Sequence, residues 1–435
     1  MQNIDIIQNN IDYIEENLKT ELTADELANN SGFSLFHYYR IFKDVIGTPV
    51  MQYVLIRKLK NAIYEISHGS KMIDVALAYG FDTHAGFFKA FKREFDYSPT
   101  QYLKMHTVKR PHRIILKQEE HIMISHKKIK EVLTNWNLAD VKVSDLYNDG
   151  SGIKSENAWY INDNLVMKVG TNLTGLKNHI EISKALSKVG IETSNPIATN
   201  NGKEYLIEGD TYFCLTNRLQ GSRLKSDECF QGDFETKAVY LGEIIGQLHL
   251  ILQKHDKDII CNEPNLYDSI KDWGIPEVKK YMSLPNSFYE DYLEHFKRLY
   301  PYLPKHIIHR DPNPSNIILK DGKLSGFIDF DLSERNVRLF DPCYASTAIL
   351  SESFAENDPD KLQKWPIIFQ NIIAGYDSIC NLTNEEKQAI PYIVYSIQII
   401  CVAYFSSIEK FSELAKVNQK MLSWLYDNKD ILVIK

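Results

Sequence analysis

The stretch His306–Pro342, HIIHRDPNPSNIILKDGKLSGFIDFDLSERNVRLFDP, decides how the larger part of the chain folds. An apolar run closes on His309-Arg310-Asp311, Asn316 follows five residues after the Asp, and a second apolar run closes on Ile328-Asp329-Phe330. Short strands joined by a polar loop read this way, and the loop brings one Asp, one Asn and a second Asp to a single point. Phosphoryl transfer from a nucleoside triphosphate uses those types: a carboxylate to orient and deprotonate a hydroxyl, and an amide with a second carboxylate to hold Mg²⁺. An isolated His-x-Asp triplet arises readily in turns, but here both halves stand 13 residues apart in the required order.

The layout H-x-D-x-x-x-x-N followed by I-D-x-[DG] resembles the catalytic loop and metal motif of the aminoglycoside phosphotransferase family, distant relatives of the protein kinases. The resemblance implies that Asp311 is the catalytic base, that Asn316 and Asp329 are Mg²⁺ ligands, and that His309 is a buried prop. It also implies ATP or GTP as donor and a small-molecule hydroxyl as acceptor. The expected fold is an α+β, bilobal, kinase-like domain over 126–435, with an N-lobe at 126–216, a hinge at 217–221 and a C-lobe at 222–435. Arg310 stands where that family more usually has Gly. No A-P-E-like segment follows Asp329, which disfavours a protein kinase.

Upstream, YNDGSGIKSENAWYIND and NLVMKVG read as strand, turn at Asn162-Asp163-Asn164, strand. Lys168 closes the apolar run, and a helix carrying Glu181 follows; the resemblance makes these the Lys–Glu pair that places nucleotide phosphates. Ser151-Gly152 sit where the phosphate-covering loop belongs, without a full G-x-G-x-x-G. By offset from Gly221, the backbones of Asn217 and Leu219 would meet the purine, with Thr216 at the back of the pocket. His249 reads as a packed histidine. Asp341, before Pro342, reads as an N-cap, with a hydrogen bond to the catalytic loop as its family role. Asp331, Glu334 and Asp341 place acids near the reacting hydroxyl, which would suit an amine-bearing acceptor such as an aminoglycoside or amino alcohol. Residues 343–435 read as amphipathic helices.

The first quarter is a different object. Ile4, Ile7, Ile11, Ile14 and Leu18 recur at helical spacing, and residues 22–53 are then echoed by 72–102, about 49 residues later. Gly32-Phe33 matches Gly80-Phe81, Phe42-Lys43 matches Phe91-Lys92, Pro49 matches Pro99, and Tyr53 matches Tyr102. Each copy is a short helix, a turn at Gly and a second helix, with Thr23, Thr48 and Thr83 (or Asp82) as candidate N-caps. Both copies, closing on F-K-R-E-F-x-Y-S-P-x-x-Y, resemble the AraC-type DNA-binding domain, here 1–107. The resemblance implies double-stranded DNA as partner, with two recognition helices entering major-groove segments about 34 Å apart. Carried through the motif, Phe36, Tyr39 and Arg40 face DNA from the first, and His84, Ala85, Phe88 and Lys89 from the second. Ile41, Phe42, Phe87 and Phe91 fall on the opposite, core side.

Composition fits this multidomain reading. At 435 residues the chain is too long for one ordinary domain, and 44% hydrophobic with 11% aromatic residues suffices for packed cores. Net charge is −2 over 1–107, +5 over 108–130 and −10 beyond, so 108–125 reads as a basic linker. Arg40, Lys43, Lys89, Lys92 and Arg93 concentrate positive charge on the candidate DNA face, which predicts modest, salt-sensitive affinity. The opening MQNIDIIQNN lacks the features of a signal peptide, and six cysteines form no C-x-x-C pair. The longest apolar run, Ile390–Phe405, is broken by Pro391, Ser396 and Gln398 and fits a buried helix better than a membrane span. A cytoplasmic protein with no membrane partner is expected.

Overall fold

The computed structural model describes residues 2–95, 97–105, 108, 110, 111, 114–116, 124, 126–148 and 153–434. These form two compact units, one of residues 1–171 and 196–218, the other of 172–195 and 219–435.

The first unit opens with seven helices: α1 (Gln2–Glu16), α2 (Ala24–Asn30), α3 (Leu35–Ile46), α4 (Val50–Ser67), α5 (Met72–Ala78), α6 (His84–Phe95) and α7 (Pro99–Met105). The sequence repeat is a repeat of hydrogen bonds. Phe33 N–H donates to Ala28 O at 3.1 Å and Phe81 N–H to Ala76 O at 3.0 Å, while Gly32 and Gly80 stand at φ 69° and 80°. That is the six-to-one closure of a helix end that needs a left-handed residue, for which Gly carries no steric cost. Thr23 caps α2 and the Thr83 hydroxyl accepts from Gly86 N–H. Thr48 is a correction: it is buried, and Pro49 is the N-cap of α4. Ile7, Ile11, Ile14 and Leu18 are buried with Tyr38, Phe42, Tyr53, Phe87 and Phe91; Ile4, at the chain start, is exposed. The segment Ile114–Leu116, inside the basic linker, is irregular and docks on α1: Gln8 donates to Ile114 O and accepts from Leu116 N–H.

Arg57 is spent inside the helical domain. It is 3% exposed and forms a forked pair with Glu15, at 2.5 Å and 2.7 Å, while Tyr53 donates to the same carboxylate. Arg57→Met should therefore destabilise this domain by about 3–5 kcal/mol, because it leaves a largely buried carboxylate unpaired. Adding Glu15→Leu should recover most of the loss, as measured by urea unfolding followed by circular dichroism.

The same unit continues with α8 (His126–Leu133) and a five-stranded sheet of order β1-β2-β3-β6-β5. Its strands are β1 (Val143–Asn148), β2 (Ile153–Ile161), β3 (Leu165–Gly170), β5 (Leu206–Glu208) and β6 (Thr211–Asn217). The turn at residues 162–164 falls where the sequence places it.

The second unit begins with α9 (Leu173–Lys188), which thus groups with the C-lobe rather than with the sheet. A four-stranded sheet follows the order β4-β10-β9-β7, from β4 (Glu192–Thr193), β7 (Ser222–Arg223), β9 (Ile317–Lys320) and β10 (Lys323–Phe327). A ribbon pairs β8 (Lys305–Ile308) with β11 (Glu334–Val337). Helices α10 (Phe234–Lys254), α11 (Leu266–Ser269), α12 (Ile275–Tyr281), α13 (Asn286–Leu299), α14 (Phe340–Glu356), α15 (Pro359–Cys380), α16 (Asn384–Ser406) and α17 (Ser412–Asp427) build the rest. Contact between α10 and α15 is backbone to backbone. A Cβ on Gly242 would sit 2.0 Å from Ile372 O, and one on Gly375 would sit 2.0 Å from Val239 O. Among the described residues α16 alone is long and apolar enough to cross a membrane, and 61% of its apolar window is buried within the protein.

Candidate active site and candidate DNA-facing helices

Ile308 on β8 pairs with Glu334 on β11, so the chain between them is one excursion pinned at its base. Asp311 leaves β8 first. The Asn316 side-chain N–H₂ donates to Asp311 O at 2.9 Å and lies 3.3 Å from its Oδ2, and Ile328 N–H donates to Asn316 O. The loop therefore ties Asp311 to the segment that presents Asp329. Burial pushes the Asp311 carboxyl up to about 6; His309 opposes this, the Asp329 charge adds to the rise, and the Tyr344 hydroxyl and Arg310 oppose it. A base tuned toward neutral pH suits proton acceptance from a hydroxyl. Asp329, exposed, sits at φ 68°, ψ 57° and precedes a short 3-10 turn.

Three neighbours hold this geometry. His309 is fully buried and donates from Nε2 to Ile328 O at 3.0 Å, the propping role expected of it. Asp341 is also fully buried: Oδ2 accepts from His309 N–H at 2.8 Å and His249 Nε2 at 2.9 Å, and Oδ1 accepts from Arg310 N–H at 3.0 Å. Burial pushes the Asp341 carboxyl up, but His249 and His309 together outweigh it and hold it below the ordinary range. Arg310 stands at φ 75°, which explains a preference for Gly at this position. Its side chain compensates by pairing with Glu334 at 2.7 Å and lying 4.0 Å over the Phe340 ring.

Several expectations change here. Asp341 lies inside the first turn of α14, whose N-cap is Leu339, so the capping role falls away, while the expected hydrogen bonds to the Asp311 loop are present. His249 is more than packing, since its ring links Asp341 to the Tyr376 hydroxyl at 2.7 Å. Glu334 and Asp341 are committed to Arg310, Asn336, His249 and two amides, so the case for an amine-bearing acceptor loses two of its three acids. Glu181 is exposed and paired with Lys184 on its own helix at 2.9 Å, so the role of a buried phosphate-placing partner does not suit it.

Asn316 and Asp329 carry oxygens of the kind that a hard cation takes. The Asn316 amide nitrogen is committed to Asp311, which leaves Oδ1 to bind, and Asp329 supplies a carboxylate. Among the described residues no cluster of three or more His, Cys, Asp or Glu could hold an ion unaided. Mg²⁺ characteristically takes one or two protein ligands and completes its shell with phosphate and water, so this sparse pair suits it.

In the other unit, Lys168 lies on β3, an interior strand, opposite Ala158 and Cys214. Asn217 ends β6, and Thr216 is buried with its hydroxyl 3.4 Å from Val166 O. Leu219 is buried. Ser151 and Gly152 lie outside the described residues. In the helical domain Phe36 is 81% exposed, Arg40, His84, Ala85 and Lys89 are exposed, and Tyr39 and Phe88 are half-buried. Arg40 is held beside His37 at 3.2 Å, and Phe88 packs on His84. Ile41, Phe42, Phe87 and Phe91 are buried.

Comparison with known proteins agrees with both halves. A family model described as "Helix-turn-helix domain" matches residues 20–105, and one described as "Phosphotransferase enzyme family" matches 157–364. The transcriptional activator AarP of Providencia stuartii is 35% identical over 98 residues, covering 22% of this chain and 73% of AarP. The chain carries an AraC-type helix-turn-helix domain fused to a phosphotransferase-family domain. YbfP, an uncharacterised regulator of Bacillus subtilis, is 33% identical over 97 residues, 22% of this chain; the match spans only 33% of YbfP. Among solved structures, a microcompartment-associated aminopropanol kinase has a TM-score of 0.51 at 15% identity, covering 71% of this chain and 99% of that one. A GDP complex of aminoglycoside 2'-phosphotransferase-IIIa has a TM-score of 0.50 at 12% identity, covering 69% and 97%. At these identities the likeness concerns the fold alone.

The sequence reading missed the buried polar face of α9. Asn178 donates to Ser333 O at 3.3 Å, and His179, 2% exposed, lies against Phe330 N–H and Ser194 O. The signal was available: His179 falls three residues after Leu176 and seven before Leu186, on the apolar stripe, whereas Glu181 falls opposite it.

Proposed function

We propose that the chain is a cytoplasmic transcriptional regulator whose C-terminal domain transfers the γ-phosphoryl of ATP or GTP to a hydroxyl of a small molecule. The observation that carries this is the Asp311, Asn316 and Asp329 constellation: a half-buried carboxylate tied by hydrogen bonds to one of two side chains whose oxygens suit Mg²⁺. Asp311 would accept the hydroxyl proton, Asn316 and Asp329 would hold Mg²⁺, and Lys168 would meet the phosphates. The bound cation would neutralise charge on the transferring phosphoryl group. Asn217, Leu219 and the Ser151-Gly152 loop remain the proposed nucleotide contacts.

A second reading makes the domain a nucleotide or metabolite sensor without turnover, and the outward position of Glu181 favours it. Mg²⁺-dependent ATP hydrolysis, measured with and without a panel of hydroxyl-bearing metabolites, separates the two when set beside operator affinity under the same ligands. Turnover stimulated by one metabolite supports the kinase. Ligand-shifted DNA affinity with no turnover supports the sensor.

DNA contact is proposed through Phe36, Tyr39 and Arg40 and through His84, Ala85, Phe88 and Lys89. Arg40→Ala and Lys89→Ala should each weaken binding and lower the slope of log affinity against log salt by about one if the lost contact is to phosphate. A variant that keeps the slope but relaxes preference at one base pair would assign that side chain to a base edge. Fluorescence anisotropy on labelled duplexes over a salt series reads both.

A further inference from the structure

One face of α9 is fitted to the turn that follows Asp329. His179 Nδ1 lies 3.3 Å from the Phe330 main-chain nitrogen, and Nε2 lies 2.9 Å from Ser194 O. An amide nitrogen only donates and a carbonyl oxygen only accepts, so in the neutral ring the two contacts put the proton on Nε2; the Asp331 carboxylate also stands 3.9 Å from Nδ1. Asn178 fastens the far end of the turn through Ser333 O. Gly175 completes the fit, since a Cβ there would fall 2.6 Å from Asp331 O.

Phe330 directly follows Asp329, whose left-handed backbone costs a non-glycine residue about 1–2 kcal/mol. Such a conformation persists only where its surroundings over-determine it. The His179 ring grips the peptide on the C-terminal side of Asp329, and the His309 ring grips the Ile328 carbonyl on the other side. Asp329 thus stands between two peptide groups, each held by an imidazole, one on the Asp311 loop and one on α9.

We propose that His179 is a positioning residue for cation binding: its Nδ1 lone pair fixes the Phe330 amide and thereby aims the Asp329 carboxylate. This rests on the reading of Asp329 as a Mg²⁺ ligand. A histidine that merely filled the core would need its ring volume but not a lone pair at Nδ1, and the two amide side chains separate these cases. His179→Asn places an acceptor near the Nδ1 position and gives up the donor to Ser194. His179→Gln places a donor near Nε2 and gives up the acceptor for Phe330.

The test is calorimetric titration of the full chain with the non-hydrolysable ATP analogue AMP-PNP over a range of free Mg²⁺. For the wild type, affinity should rise with Mg²⁺. His179→Gln should raise the half-saturating Mg²⁺ about tenfold, the scale of losing a partner that orients a metal ligand, and His179→Asn should stay within about threefold. Both should keep the Mg²⁺-free affinity of the wild type, which also reports a folded site. Equal shifts in the two variants, a larger shift in Asn, or no shift in either would overturn the proposal. Should both variants unfold, His179→Ala with added imidazole decides: recovery of Mg²⁺ response supports the lone-pair role, and recovery of folding without it refutes that role. A wild type with no Mg²⁺ response would instead overturn the reading of Asp329, and the proposal with it.

Discussion

Asp311→Asn is expected to lower acceptor-dependent phosphoryl transfer by about 10²–10⁴-fold, the usual contribution of a positioned general base, with nucleotide affinity nearly unchanged. The amide preserves the shape of the carboxyl group and an oxygen for the Asn316 N–H₂, but it cannot take a proton. Thermal stability should separate loss of chemistry from loss of fold. Because the carboxyl is pushed up to about 6, chiefly by burial, its stabilising contribution is present at low pH and is lost as pH rises through that value. At pH 8 the wild type carries an ionised, disfavoured carboxylate, whereas Asn carries no charge at any pH. The Tm of Asp311→Asn relative to wild type should therefore rise between pH 5 and pH 8. Transfer within about threefold of wild type would remove Asp311 from the role of base.

The parts of the site legible in the sequence are those that a single loop carries. Asp311, Asn316 and Asp329 are fixed relative to one another by short spacing and two strand ends, so their types and order suffice. The helix-turn-helix pair was legible for a related reason, since the same Gly-Phe closure occurs twice and only one backbone conformation satisfies it. What failed was the phase of an isolated helix. Glu181 was chosen by residue type, but the buried stripe of α9 passes through Leu176, His179, Ile180, Ser183 and Leu186, and charge at position 181 faces water. Asp341 divides: an Asp before Pro at a helix start is ordinarily a cap, and that role is absent, whereas the hydrogen bond to the loop that the resemblance implied is present, to two amides 31 and 32 residues upstream that nothing local reveals. Commitment of Glu334 to Arg310 was hidden in the same way, because the left-handed backbone that directs that arginine is a property of the folded loop.

Asp341→Ala should combine a stability loss of about 3–5 kcal/mol with a fall in transfer of about 100-fold or more, although Asp341 is not proposed to touch either substrate. Its carboxylate serves three donors at once, and removing it strands the buried N–H groups of His309 and Arg310, at about 1–3 kcal/mol for each unsatisfied donor. Those amides flank the left-handed residue that turns the chain toward Asp311, so the loop would relax and carry the base away from the reacting hydroxyl. Because the folded carboxyl is held below its ordinary value, its stabilising effect is present above the unfolded pKa and is lost as pH falls through the folded one. Acid unfolding below about pH 4 should accordingly be steeper for wild type than for Asp341→Asn. Backbone strain supplies the sharpest control. Gly tolerates φ 75° at no steric cost, so adding Arg310→Gly to Asp341→Ala should restore part of the lost stability, provided that relief of strain exceeds loss of the Glu334 pair. Thermal melts and single-turnover kinetics on the four proteins of that cycle measure the coupling directly, and strict additivity would show that Asp341 does not act by holding Arg310 in its left-handed conformation.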